Sequence, residues 1–312
     1  MDDLMIAVGI NEYVTKAVNP NVPITPEEIA DDVRQCVEAG ATIIHLHARH
    51  AAPDARSQEV QVTAQSYTEV WDALEAAGVD VPVYMGTGSG RSQALDRQAA
   101  GEQIDSEAPG YECVEATGSR QGNRLEIAPV IAGSVDWYPF DPREGTHQVP
   151  VLLRRTIEDA IYELDVAKRL DLFVSHDIWE PGNLRIVSEL NRRGLYHRPM
   201  LIKFFMSEYS GFGMPPETNY LDTFVTMLDG LDAEWFALPY GSSERACLRL
   251  WSHAITHGGH VRVGIGDNPG TPDENFPATN AERVAQMVEL AKILGRDVAS
   301  VDAVRARFAA TS

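Results

Sequence analysis

A chain of 312 residues is long for one ordinary domain but within the range of a single α/β barrel, and its 44% hydrophobic and 23% charged content is that of a globular protein. The formal net charge of -20 leaves no basic face for a nucleic acid, and no apolar run approaches the roughly 18–20 residues that a membrane span requires. Three cysteines, Cys36, Cys113 and Cys247, without a C-x-x-C pair, suggest neither a disulfide framework nor a thiolate zinc site. The opening "MDDLMIAVGI" has no basic region ahead of its apolar run, so a cytoplasmic location is expected.

"LMIAVGINE" reads as a first strand, and "TPEEIADDVRQCVEAG" as a helix with Thr25 as N-cap, Pro26 at the first position, Glu28 completing a capping box and Gly40 closing it. "TIIHLHAR" is a second strand, "YTEVWDALEAAG" a second helix ending at Gly78, and "VPVYMGTGSG" a third strand entering a glycine-rich turn. Residues 89–124 are polar and irregular, with a weakly helical piece at 94–104, and are expected to form an insertion or lid. "LEIAPVIAGS", "DLFVSHDIWE", "PMLIKFF", "EWFALPYG" and "HVRVGIGDN" supply strands four to eight. Eight alternating units in one 312-residue domain predict a (β/α)8 TIM barrel. A doubly wound sheet would show fewer strands or a G-x-G-x-x-G after the first.

Side chains two apart on a strand share a face, so His45, His47 and Arg49 of "IIHLHARH" point together near the C-terminal end of the second strand, where barrel active sites lie. Two imidazoles so placed suit a divalent metal completed by a carboxylate and by water or substrate. Packed barrel histidines are the plainer alternative. In "THGGHVRVGIGDNPG", Arg262 and Asp267 pair opposite charges at the last strand, either as a substrate clamp with a tuned base or as an ion pair closing the barrel. Further strand-end candidates are Glu12, Thr87, Ser134, Asp177, Glu180 and Lys203. His50 is expected to face away from its neighbours, and His176 to be a packed residue.

The blocks "NPNVPITPEEIADD", "EAGATIIHLHAR", "AGS" and "GGHVRVGIGDN", in this order, resemble the beta-keto acid cleavage enzymes, typified by 3-keto-5-aminohexanoate cleavage enzyme. The resemblance implies a zinc-dependent barrel that converts a β-keto acid and acetyl-CoA into acetoacetate and a new CoA thioester. It implies His45 and His47 as zinc ligands, Asp267 as base with Arg262 orienting it, and a homo-oligomer, dimer or tetramer. Three positions depart from the family pattern. Its third zinc ligand, a Glu directly before the Asp of the last strand, is Gly266; its Ser after the third strand is Gly86; its Glu after the first strand is Tyr13.

Glu12, on the strand next to both the second and the eighth in a closed barrel, is expected to replace the missing carboxylate. Arg49, Thr87, Ser134, Asp177 and Gly86 are expected to contact substrate, which differs from that of the typical member. Two other functions compete: a metal-dependent hydrolase or aldolase-type lyase acting on a keto acid without CoA, and a metal-free binding or degenerate barrel.

Overall fold

The computed structural model describes residues 2–49, 63–87, 99–101, 111–119, 125–137, 151–270 and 278–309. The N-terminal strand β1 (Ile6–Gly9) lies between β2 (Ile43–Leu46) and β10 (His260–Val263), pairing parallel to each. Beyond β2 comes β3 (Val83–Met85). Beyond β10 follow β9 (Ala233–Pro239), β8 (Met200–Met206), β7 (Phe173–Ile178) and β4 (Ile127–Val130). A parallel bridge from Val83 to Leu125 brings the two edge strands together, so the sheet is a nearly closed (β/α)8 barrel.

The sequence dictates these elements locally. Helix α1 (Pro26–Ala39) carries the predicted capping box, with Thr25 accepting from the Glu28 amide, and ends at Gly40 with φ 116°, which a side chain would resist. Helix α2 (Ala64–Ala76) begins three residues before the predicted Tyr67, because Thr63 and Ser66 form a reciprocal cap. Glu112–Gly118 forms α3, with Cys113, Val114 and Thr117 buried, so this part of segment 89–124 belongs to the barrel wall. Apart from residues 99–101, the predicted helical piece at 94–104 and most of the remaining segment lie outside the described residues, as does His50.

After β4 an antiparallel pair, β5 (Val135–Trp137) with β6 (Val151–Leu153), precedes α4 (Ile157–Arg169). Then come α5 (Pro181–Arg192), α6 (Thr218–Thr226), α7 (Glu244–Thr256), α8 (Asn280–Ile293) and α9 (Val301–Phe308).

Strand alternation splits the core in two. Ile6, Val8, Ile44, Leu46, Ile202 and Phe204 face the helices, whereas Ala7, Ile43, Tyr84, Ile127, Phe173, Leu201 and Phe236 fill the barrel. Helix α9 closes the lower end, Phe308 stacking on Phe173 at 4.4 Å. Above this apolar plug the inward positions turn polar. Among the described residues no helix is long and apolar enough to cross a membrane.

Candidate active site

The loop leaving β1 is fastened to β2 by side chains. Asn11 accepts from the His47 amide at 2.9 Å and donates to the His47 and Pro23 carbonyls at 2.9 and 3.2 Å. The Arg49 guanidinium donates to the carbonyls of Asn11, Glu12 and Val14 at 3.2, 2.7 and 2.7 Å, so it holds backbone within this loop. Glu12 is held with φ 35°, a conformation costing a non-glycine residue about 1–3 kcal/mol and sustained by its surroundings.

Asn280, fully buried at the start of α8, joins this loop to the one after β10. Its carbonyl accepts from Ile265 at 2.8 Å, and its amide donates to the Ile10 carbonyl at 2.9 Å and to Asp32 at 2.7 Å. Ile10 and Ile265 each lie two residues before an acid of the site. Asn280→Leu keeps the branched shape and removes three hydrogen bonds. It is expected to lower stability by about 2–3 kcal/mol in denaturant titrations and activity more than tenfold, from loss of the Glu12-to-Asp267 geometry.

Glu12 meets both histidines. Its two carboxylate oxygens lie 2.9 Å from His45 Nε2 and 3.1 Å from His47 Nε2, and the two Nε2 atoms are 3.1 Å apart. All three residues are buried. Burial works to raise the Glu12 carboxyl, but His45, His47 and Arg262 hold it well below the usual range. Burial pulls His45 down to about 3, leaving it neutral.

An ionised carboxylate and imidazole nitrogens turned toward one another are the donor set a zinc ion takes, and their spacing is near the edge of about 3.3 Å implied by tetrahedral bonds of about 2.0–2.1 Å. The residues present fit a divalent metal.

Three glycines make this packing possible. At Gly86 a Cβ would lie 2.5 Å from His47 Nε2 and closer still to Cε1, so no side chain coexists with this His47 rotamer. Gly86→Ala is expected to push the ring aside and lower zinc affinity at least tenfold, read by competition with a chromogenic chelator, without altering a donor atom. At Gly9 a Cβ would lie 2.5 Å from Asp267 Oδ2. At Gly266 it would lie 2.6 Å from the Gly9 carbonyl oxygen and 2.7 Å from the Asn11 amide nitrogen. Backbone therefore fills the space a glutamate at 266 would need, and the Glu12 carboxylate occupies the position beside the histidines.

Arg262 links the histidine cluster to the second acid. It grips Asp267 through Nε at 2.9 Å and Nη2 at 2.7 Å, the same Nη2 touches Glu12, and Nη1 donates to the Tyr84 hydroxyl at 2.6 Å. Burial pushes the Asp267 carboxyl up to about 7, Arg262 opposing and Glu12 reinforcing. Tyr84 stands at the centre: the His45 ring packs on it at 4.4 Å, and Lys203 Nζ lies 4.1 Å over it while ion-paired to Asp177. Burial lowers Lys203 to about 8 against the pull of Asp177.

Five of the six polar residues expected at strands one, two and eight, Glu12, His45, His47, Arg262 and Asp267, thus meet in one cluster, while Arg49 binds loop backbone. Gly86 adjoins His47, and Asp177 lies behind Tyr84 through Lys203. Thr87 and Ser134 meet instead at Arg155: its guanidinium donates to Thr87 at 3.4 Å, and Ser134 Oγ exchanges hydrogen bonds of 3.0 Å with its backbone. His176 is a packed residue, bound to the Val130 carbonyl and the Tyr196 hydroxyl at 2.8 Å each. Tyr84, Asn11 and Asn280 are the contributors not singled out from sequence. Only the inward register of Tyr84 on "VPVYMG" signalled one of them.

A family model described as beta-keto acid cleavage enzyme matches residues 3–309. The chain is 26% identical over 306 residues to 3-dehydrocarnitine:acetyl-CoA trimethylamine transferase of Rhizobium meliloti, covering 97% of this chain and 94% of that one. It is 25% identical over 310 residues to 3-keto-5-aminohexanoate cleavage enzyme of Fusobacterium nucleatum, covering 98% and 97%. Among solved structures, the ternary complex of ObcA with a C4-CoA adduct and oxalate superposes with TM-score 0.66 at 15% identity, covering 93% of this chain and 67% of that one, a likeness of fold.

Proposed function

Since the chain belongs to the beta-keto acid cleavage enzyme family, we propose that it transfers acyl groups between a β-keto acid and acetyl-CoA, giving acetoacetate and a new CoA thioester. The observation that carries the reading is the single Arg262 guanidinium bonded to both Glu12 and Asp267, which sets a metal-holding cluster directly beside a poised acid.

His45, His47 and Glu12 would hold zinc. When bound, zinc supplies Lewis-acid polarisation of the keto acid's oxygens. Asp267, raised toward neutrality by burial and aligned by the bidentate grip of Arg262, takes a proton from the methylene between the keto and carboxyl groups. The freed electron pair bonds to the thioester carbon of acetyl-CoA and the C–S bond breaks, releasing CoA thiolate. That thiolate adds to the original keto carbon, the bond from this carbon to the former methylene breaks, and Asp267 returns the proton to the departing acetoacetate. Arg262 keeps the Asp267 carboxylate fixed in both directions, while Tyr84 fixes Arg262 from behind. The reading includes a homo-oligomer, as the family resemblance implies, and a cytoplasmic location.

The test is to measure zinc per chain by mass spectrometry and acetoacetate production from β-keto acids with and without acetyl-CoA. About one zinc per chain and strict dependence on acetyl-CoA are expected. Keto acid consumption without acetyl-CoA would point to hydrolysis or an aldolase-type cleavage, and a native protein free of metal would remove the zinc.

A further inference from the structure

Across the barrel mouth from His45 and His47 stands a wall of apolar side chains. Phe205 and Leu238 are register partners on β8 and β9, and the Phe205 ring centroid lies 5.7 Å from the Arg262 guanidinium carbon. Trp179, just past β7, stacks on Phe205 at 4.3 Å. Tyr240 stands 5.8 Å from Phe205 and 6.0 Å from Trp179, and the next residue, Gly241, donates its amide to the Asp267 carbonyl at 2.9 Å. Half-buried Phe212 and Ile131 extend the wall outward.

The described acids around this wall are each held by a protein partner or turned away. Asp177 is bound by Lys203. Glu180 accepts from the Gly213 amide at 3.0 Å, and Glu208 from the Ser243 amide at 2.6 Å. Asp136 alternates with the buried Val135 on β5 and so faces away from the wall. The nearby cation Arg155 is tied to Glu163 at 2.5 Å.

Resting on the acyl-transfer reading above, we propose that the substrate is a β-keto acid whose keto carbon carries an uncharged, apolar substituent, aliphatic or aromatic. The carboxylate and keto oxygens sit at the polar cluster of β1, β2 and β10, and the molecule's remaining end must then lie along Phe205, Leu238, Trp179 and Tyr240. A charged substituent there would be stripped of water against rings and aliphatic carbons with no free counter-ion among the described residues, the costliest kind of burial. An apolar one gains contact area and ring packing.

The experiment compares acetyl-CoA-dependent acetoacetate formation from 3-oxohexanoate and 3-oxo-3-phenylpropanoate with that from anionic 3-oxoadipate and cationic 5-amino-3-oxohexanoate. The neutral-tailed acids are expected to have kcat/KM higher by roughly 10²-fold or more, the scale of an unpaired charge in an apolar site. Trp179→Leu is expected to raise KM for 3-oxo-3-phenylpropanoate roughly tenfold with little change in kcat, the signature of lost binding shared by ground and transition states. Faster turnover of either charged acid would overturn the apolar class while leaving the acyl-transfer reading intact. Acetoacetate from none of the four would remove both.

Discussion

Glu12→Gln is expected to reduce zinc affinity by at least ~10²-fold and to leave the purified chain with far less than one zinc, because the substitution preserves shape while deleting the anionic donor. Glu12 presents one oxygen to each of His45 and His47 and touches Arg262, so the charge lost is the one around which three partners are organised. The bonds of Asn11 and Arg49 to the surrounding backbone do not involve the Glu12 side chain and keep the loop in place. A folded, metal-poor and inactive protein is therefore expected, judged by mass spectrometry after dialysis beside circular dichroism. Unchanged zinc stoichiometry would assign the metal to other residues and return Glu12 to a partner of Arg262 alone.

Arg262→Met is expected to have the larger effect on folding. It strands the buried Asp267 carboxylate, takes from Glu12 its guanidinium partner while leaving it His45 and His47, and leaves the Tyr84 hydroxyl without its guanidinium partner. Breaking a buried pair by removing one member costs about 3–5 kcal/mol, read here as lost unfolding free energy in denaturant titrations. Adding Asp267→Asn should restore part of that stability and none of the activity, since one stranded charge disappears with the base itself. Arg262→Lys is not a rescue, because an ammonium lacks the planar fork that reaches Asp267 twice while meeting Glu12 and Tyr84. Wild-type stability for Arg262→Met would mean that the two acids are not both ionised in the folded protein.

What was legible in the sequence was legible for local reasons. The H-x-H spacing places His45 and His47 on one face because strand alternation needs only neighbouring residues, and the Thr25–Glu28 cap fixes the start of α1 within four. The meeting of Glu12 with both histidines followed from strand order, since β1 lies between β2 and β10 in such a barrel, taken with the family's missing carboxylate at Gly266.

Tyr84 was not legible, because its use depends on His45, Lys203 and Arg262 arriving from three other strands. Asn280 reads as an ordinary residue at a helix start, and its value lies in contacts with Ile10 and Asp32 across more than 200 positions. The start of α2 was missed because Ser66 replaces the Glu or Gln that normally announces a capping box. Helix α9, with Phe308 plugging the barrel floor, carries a periodicity that says nothing of what lies beneath it.

The order in which these residues leave the ribosome sets when the enzyme comes alive. His45, His47 and Glu12 lie within the first 49 residues, whereas Arg262 and Asp267 come from β10, which reaches β1 only when the ring is joined. On the proposed mechanism, the residues that would hold the metal are synthesised long before the base. On that reading the chemistry sits at a seam between the oldest and the newest strand of the barrel, so a half-made chain lacks the group that would deprotonate a keto acid.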